Sequence, residues 1–425
     1  MLLALILFAC MYLLLLFLPK YRAITALVFA AVFLILGIMP INEALAPADL
    51  NVILMIFGTM GVVGLFIESK MPSKLADLII KKMPNVKWTM VILALFAGII
   101  SAFVDNVATV LMVAPVAMTV CKKLKISPVP SIIAIAVSSN LQGAATLVGD
   151  TTSIMLGAEA NMNFLDFFFF QGKLGIFWAV EAGALISIFI LLWLFRKDTT
   201  TVEGGEVTEV KDYVPSYLLL GTILLLIVAS FVPVLSVATH GMINGIICVG
   251  LFFIGIVRKT IVKRDGKALW DALKGIDYTT LLLLLGLFTV INGIDYAGVV
   301  TAIGELFVKI SGDNLFVVYT LIVWASVILS AFIDNIPYVA TMLPVATAIA
   351  ATMGVDPNVL YFGLLIGATL GGNITPIGAS ANIAGIGILR KEGYEVKNKD
   401  FFRIGIPFTL SAVIAGYVLI WLIWV

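Results

Sequence analysis

Runs of roughly 18 or more apolar residues recur from one end of this chain to the other, each long enough to cross a hydrocarbon core. Hydrophobic residues fill 62% of the 425 positions, charged residues only 12%, and mean hydropathy is +1.15. A soluble domain of this size needs far more charge to cover its surface, so the expected solvent is lipid. Net charge is +1 with no block of like charge, which argues against a nucleic-acid partner. The opening Met1-Leu2-Leu3-Ala4-Leu5 lacks a basic leader and a small-residue cleavage site, and reads as a retained first span. Cys10, Cys121 and Cys248 are too far apart for a disulfide framework or a metal spacing and read as packing residues. His240 sits in a short polar break and reads as a loop residue rather than a proton relay.

Apolar spans are expected at about 2–18, 23–39, 50–67, 174–195, 213–232, 240–257, 277–296 and 403–425. Between them lie two longer apolar regions, 88–158 and 314–389, interrupted by Gly, Pro, Asn and Asp. The polar stretch 196–212, with Thr199-Thr200-Thr201 and Gly204-Gly205, reads as a linker. An internal repeat is visible across it. Ser101-Ala-Phe-Val-Asp-Asn106 matches Ser330-Ala-Phe-Ile-Asp-Asn335 at a shift of 229 positions, as do Pro115 and Pro344, Gly143 and Gly372, Thr146 and Thr375, and Gly149 and Gly378. Asp49 and Asp277, and Gly58 and Gly286, match at a shift of 228. The organisation expected is a first repeat at 1–195, a cytoplasmic linker at 196–212 and a second repeat at 213–425. The transport core is expected at 88–158 and 314–389, with the rest mainly scaffold.

Basic residues set the orientation. With the N-terminus outside, every Lys and Arg except Lys173 and Lys309 faces the cytoplasm, provided that 88–121 enters and leaves from inside and 314–351 from outside. Arms of about 15 residues give roughly 22 Å of helix, short of a core of about 30 Å, so both segments are expected to be re-entrant hairpins. Each half then crosses five times, and the second is inverted relative to the first. The fold class is an all-α integral membrane protein of two inverted-topology repeats, each with five spans (one broken) plus one re-entrant hairpin. The protein is expected in the plasma membrane, multi-pass, with both termini outside.

The hairpin tips fall at Asp105-Asn106 and Asp334-Asn335. An ionised Asp at mid-membrane costs at least about 2.5–3.5 kcal/mol, so a binding role is the favoured reading over a plain helix cap. The second element of each half, Ser138–Ser153 and Gly367–Asn382, is rich in Gly and small polar residues and suits a span that unwinds midway. Unwinding frees carbonyls for a cation and offers helix N-termini to an anion; the competing reading is a close Gly-rich helix crossing. The candidate ion- or substrate-binding residues are Asp105, Asn106, Thr109, Asn140, Thr146, Gly149, Asp150, Thr151, Thr152 and Ser153 in the first half. In the second they are Asp334, Asn335, Asn373, Thr375, Gly378, Ser380 and Asn382, with Na⁺ at Asp105, Asn106, Asp150, Asp334 and Asn335. No Lys or Arg occurs within 88–121, 138–158, 326–350 or 366–388, so Asp105, Asp150 and Asp334 are expected to lack a basic counter-ion and to favour a cation or protons. Glu181 is a possible fourth acid.

At these motifs the sequence resembles the ion transporter superfamily of NhaD sodium/proton antiporters, ArsB arsenite permeases, the melanosomal P protein and divalent-anion/sodium symporters, over nearly the whole chain. Gly149-Asp-Thr-Thr-Ser153 is similar to the NhaD pattern, where P-protein relatives have Gly-Asp-Pro-Pro-Asn. Gly371-Gly-Asn-Ile-Thr-Pro-Ile-Gly-Ala-Ser-Ala-Asn382, with Gly393-Tyr394 and Asp400-Phe-Phe-Arg403, resembles the P-protein and ArsB side. The divalent-anion symporters carry Ser-Asn-Thr at both tips; Asp105-Asn106-Val107 and Asp334-Asn335-Ile336 depart from that. The resemblance implies a homodimer whose hairpins and broken helices move as a transport domain against a fixed scaffold. It also admits an ATPase subunit if the chain is of the arsenite type, since the sequence has no phosphate-binding loop of its own.

Function is thus expected to be secondary active transport: Na⁺/H⁺ exchange or Na⁺/H⁺-coupled transport first, with an anion permease (arsenite/antimonite or di-/tricarboxylate) as the alternative. No cofactor is expected beyond Na⁺ or H⁺ as coupling ion. An intramembrane aspartyl protease would need Gly-x-Gly-Asp, but Leu147-Val148-Gly149 precedes Asp150, and an enzyme is not expected.

Overall fold

The computed structural model describes residues 1–202, 207–232, 239, 241–262, 264, 266–312 and 314–425. His240, Lys263 and the Gly204-Gly205 pair lie outside the described residues. The chain is mostly helical. The first half runs α1 (Leu2–Phe17), α2 (Arg22–Ile35), α3 (Pro47–Glu68), α4 (Met71–Ile80), α5 (Val86–Ser101), α6 (Asn106–Leu124), α7 (Val129–Gly143), α8 (Thr151–Glu159) and α9 (Ile176–Leu194). The second half runs α10 (Val214–Ser230), α11 (Ile243–Val262), α12 (Ala268–Lys274), α13 (Tyr278–Tyr296), α14 (Val299–Ser311) and α15 (Leu315–Ser330). It ends with α16 (Asn335–Met353), α17 (Asn358–Gly371), α18 (Ser380–Lys391) and α19 (Asn398–Trp424). The described β-structure is a two-residue ribbon pairing Phe169–Phe170 with Lys173–Leu174, and an isolated bridge between Asn85 and Thr201.

Seven of the described helices are long and apolar enough to cross a membrane, or eight if the bent pair α14–α15 counts as one span. They include α3, α6, α9, α11, α13, α16 and α19. The second arm of each expected hairpin, α6 and α16, is 19 residues long rather than about 15. Arm length therefore separates only α5 and α15, at 16 residues each, from ordinary spans. The expected hairpins end at 121 and 351, whereas α6 runs on past Lys122 and Lys123 to Leu124 and α16 to Met353.

The duplication is written into the backbone. Helices α5, α6, α7 and α8 start at 86, 106, 129 and 151; α15, α16, α17 and α18 start 229 positions later in every case. The same local causes act in both copies. Asp105 caps α6 by accepting from Val107 and Ala108 N–H at 3.0 and 3.1 Å, and Asp334 caps α16 by accepting from Ile336 N–H at 3.2 Å. The break after α7 is stitched to the turn after α5 by the Thr146 hydroxyl, which donates to the Ala102 carbonyl; Thr375 donates to Ala331 in the mirror position. Glycine is required where these two breaks touch. A Cβ on Gly149 would stand 2.6 Å from the Gly143 carbonyl oxygen, and one on Gly378 would stand 2.7 Å from that of Gly372.

The halves are interlocked rather than side by side. Helix α3 packs on α11 of the other half, and α13 packs on α2. The backbones meet closely at Gly58, whose Cβ would fall 2.4 Å from the Cys248 carbonyl carbon, and at Gly286, whose Cβ would fall 2.5 Å from that of Ala26. Helices α6 and α18, and α16 and α8, exchange partners in the same way, and α9 lies along α19. The segment expected as the linker, 196–212, is docked at both described ends. Val86 and Lys87 N–H donate to the Thr200 and Asp198 carbonyls at 2.9 and 2.8 Å. The Thr208 hydroxyl donates to Asp77 at 2.6 Å, and Arg258 grips Asp212 with two hydrogen bonds of 2.8 and 3.1 Å.

Candidate functional site

Asp150 is the hub of the polar centre. Its carboxylate is 3% exposed and stands at the N-terminus of α8, where Oδ1 accepts from Thr151 N–H at 2.7 Å. Three side chains point at the other oxygen. Thr152 Oγ1 donates to Oδ2 at 3.2 Å, Asn106 Nδ2 at 3.4 Å and Asn335 Nδ2 at 3.2 Å. Asn106 and Asn335 are the first helical residues after the two tips, so the repeats meet on one carboxylate oxygen. All these donors are neutral, and no ion pair with Asp150 or Asp105 occurs among the described residues. A buried carboxylate held only by neutral dipoles has no counter-charge, an arrangement suited to a cation or a proton.

The broken helices cross-link behind this hub. Asn140 Nδ2 donates to the Thr369 carbonyl at 2.6 Å and to Asn373 Oδ1 at 3.1 Å, and Asn373 Nδ2 donates to the Val137 carbonyl at 2.9 Å. Asn106 Nδ2 also reaches Asn140 Oδ1 at 2.9 Å, while Ser139 Oγ donates to the Asn106 carbonyl at 3.0 Å. Thr152 Oγ1 and Thr369 Oγ1 lie 3.3 Å apart. One connected network thus joins α6, α7, α8, α16 and α17.

Not every expected residue reaches the hub. Thr109 Oγ1 turns back to the Val104 carbonyl at 3.4 Å, and Thr146, Thr375, Gly149 and Gly378 build the breaks rather than line the centre. Ser153 Oγ donates to the Gly143 carbonyl at 2.9 Å, and Asn382, its mirror residue, donates to the Gly372 and Thr375 carbonyls at 3.0 and 3.1 Å. Ser380 Oγ donates to Asp334 Oδ2 at 3.1 Å. Glu181 lies apart from the tips, in a cavity behind α7.

The expectation that all three aspartates lack a basic counter-ion is corrected at Asp334. Arg22 Nη1 lies 3.1 Å from Asp334 Oδ2, reaching in from the start of α2 while its Nε donates to the Leu15 carbonyl at 3.3 Å. A count confined to the segments around each Asp could not see it, because the guanidinium arrives on a long side chain from a helix 312 positions away in sequence. Ser139 and Thr369 were likewise missed, although both stand within the polar strings that marked the breaks.

Two cavities lie in tandem where α3 faces α8. The first, about 20 Å³, is lined by Asp105, Asp150 and Thr151 on one side and by Ile56, Thr59, Met60 and Val63 on the other. That volume holds about one water-sized species. The second, about 90 Å³, has Asp49, Glu159 and Asn292 in its wall, with Leu343 and Pro344 of α16.

The citrate transporter family model, CitMHS, matches residues 12–367. An uncharacterized transporter of Mycobacterium tuberculosis is 33% identical over 345 residues, covering 78% of this chain and 76% of that protein. The human P protein is 28% identical over 406 residues, covering 77% of this chain and 48% of that protein. Among solved structures, the YdaH transporter of Alcanivorax borkumensis aligns with a TM-score of 0.57 at 15% identity, over 88% of this chain and 84% of that one. MtrF of Neisseria gonorrhoeae, described within a class of antimetabolite efflux pumps, aligns with the same score and identity over 89% and 82%. With its seven or more candidate spans, the chain is a multi-pass membrane transporter, and it belongs to the citrate transporter family.

Proposed function

We propose that the protein is a secondary active transporter coupled to Na⁺ or protons, with Asp150 as the coupling site. The carrying observation is the Asp150 carboxylate, buried among neutral donors from both repeats and beside a cavity sized for one ion that Asp105 shares. In this reading Na⁺ and H⁺ compete for Asp150, with Asp105 and the two tip asparagines as further ligands. The two halves are inverted repeats, and α5–α6 and α15–α16 are re-entrant hairpins. Support comes from the constant 229-position offset, the matched Asp caps and the uneven distribution of Lys and Arg among the loops. The hairpins and broken helices form a core that slides against α1–α3, α10, α11 and α13. The tandem cavities lie on that boundary, and the Arg22–Asp334 pair spans it. Assembly as a homodimer in the plasma membrane with both termini outside completes the reading.

A second reading has an anion as cargo, a di- or tricarboxylate or arsenite, with the cation only as coupling ion. Arg22 beside the tip and the family's citrate description favour it. Purified protein in liposomes separates the two. Under exchange, an imposed Na⁺ gradient drives proton movement reported by an internal pH dye without added anion. Under symport, labelled citrate or arsenite accumulates only with the gradient. Neither signal in sealed, correctly inserted vesicles would sink both versions.

A further inference from the structure

Behind α7, on the face away from the hub, lies a cavity of about 260 Å³ formed by α5, α7, α9 and Phe408 of α19. A cavity of roughly 150 Å³ lined by apolar side chains already admits benzene, so this one has room for a compact hydrocarbon body. Its wall is mostly apolar, with Leu95, Leu141 and Ile188, and its rim carries Ile99 and Leu185, both about 60% exposed on the outer surface of the helices. Three polar residues, Ser138, Gln142 and Glu181, interrupt that wall. Glu181 stands one and a half turns into α9, and Gln142 stands at the end of α7 with its side chain over nine-tenths buried. Gln142 Oε1 is buried and has no hydrogen-bond partner among the described residues, which is uncommon in folded proteins. Gly98 makes the room: a Cβ there would stand 3.0 Å from Gln142 Cγ.

We propose that this cavity is a second ligand site, separate from the transport centre, for a small amphiphilic ammonium that enters from the lipid side. Glu181 brings a carboxylate to this wall, so the complementary head is a cationic donor. The surrounding surface calls for an apolar body. A fatty-acid carboxylate would meet Glu181 with like charge, and a neutral hydrocarbon would leave that carboxylate without a counter-charge. The site is independent of which ion the transport centre handles. It abuts that centre all the same, since Gln142 is two residues from Asn140 and next to Gly143, whose carbonyl holds Ser153.

Equilibrium dialysis of 1-aminoadamantane against the full-length protein in lipid nanodiscs, with empty nanodiscs as reference, tests the site. Saturable binding above the reference is expected, and the uncharged 1-adamantanol should bind at least tenfold more weakly. Glu181→Gln should lose at least tenfold in affinity for the amine, and Ala184→Phe, which fills the cavity without touching the charge, should abolish binding. Each variant is checked for an unchanged elution profile and melting temperature. Equal binding of amine and alcohol, unchanged binding in either folded variant, or uptake no greater than into empty nanodiscs would overturn the proposal.

Discussion

The two halves share a backbone and differ in chemistry. Helices α5–α8 and α15–α18 keep one register, the same Asp caps and the same Thr-to-carbonyl stitch between breaks. Yet the position of Asp150 is Ala379 in the second copy, Asn140 corresponds to Thr369, and Ala144 corresponds to Asn373. The first-half tip Asp105 forms no ion pair among the described residues, whereas Asp334 is paired with Arg22. Duplication supplied a symmetric frame of helix ends facing a common centre. The tip asparagines of both halves meet on a single carboxylate, that of Asp150.

The largest effect should come from Asp150. Asp150→Ala removes the acceptor of Thr152, Asn106 and Asn335 at once, and transport in liposomes should fall at least a hundredfold. Adding Ala379→Asp to that variant should not restore flux, because the two asparagines converge on α8 and not on α18. Recovery in the double variant would mean that the halves are chemically interchangeable. Symmetry should reappear at the glycines. Gly149→Ala and Gly378→Ala each press a methyl group onto a backbone carbonyl, and each should cost about 1–3 kcal/mol, read as similar drops in melting temperature in detergent. A large difference between the two would break the claim of a shared frame.

Smaller effects are expected at the asymmetric ion pair. A double-mutant cycle over Arg22→Ala and Asp334→Asn should give a coupling of about 1 kcal/mol, since both groups are partly shielded from solvent. Arg22→Ala paired with Asp105→Asn should be additive. Smallest is Ser139→Ala, which removes one neutral hydrogen bond to the Asn106 carbonyl and should lower stability by about 1 kcal/mol.

Much of this was legible in the sequence. The 229-position repeat located both tips and both breaks, because Asp-Asn and Gly-rich strings stand out against apolar sequence. What escaped has a common physical cause. Pairing with a distant helix leaves no local pattern, so the Arg22–Asp334 contact and the exchange of partners between halves could not be read from neighbouring residues. The sequence also marked Asp105, Asp150 and Asp334 as equals. Only the direction of the Asn106 and Asn335 amides singles out Asp150. Residues 207–212 read as a linker because they are polar, and Asp77 and Arg258 are the partners that hold them.

The most direct test of Asp150 as the coupling site is saturable binding of radioactive sodium to the purified protein across pH, for wild type and for Asp150→Asn. Protons compete for the same carboxylate in this account, so wild-type affinity should fall as pH is lowered, and Asp150→Asn should show no saturable binding at any pH. Sodium binding to Asp150→Asn with wild-type affinity and the same pH dependence would contradict it.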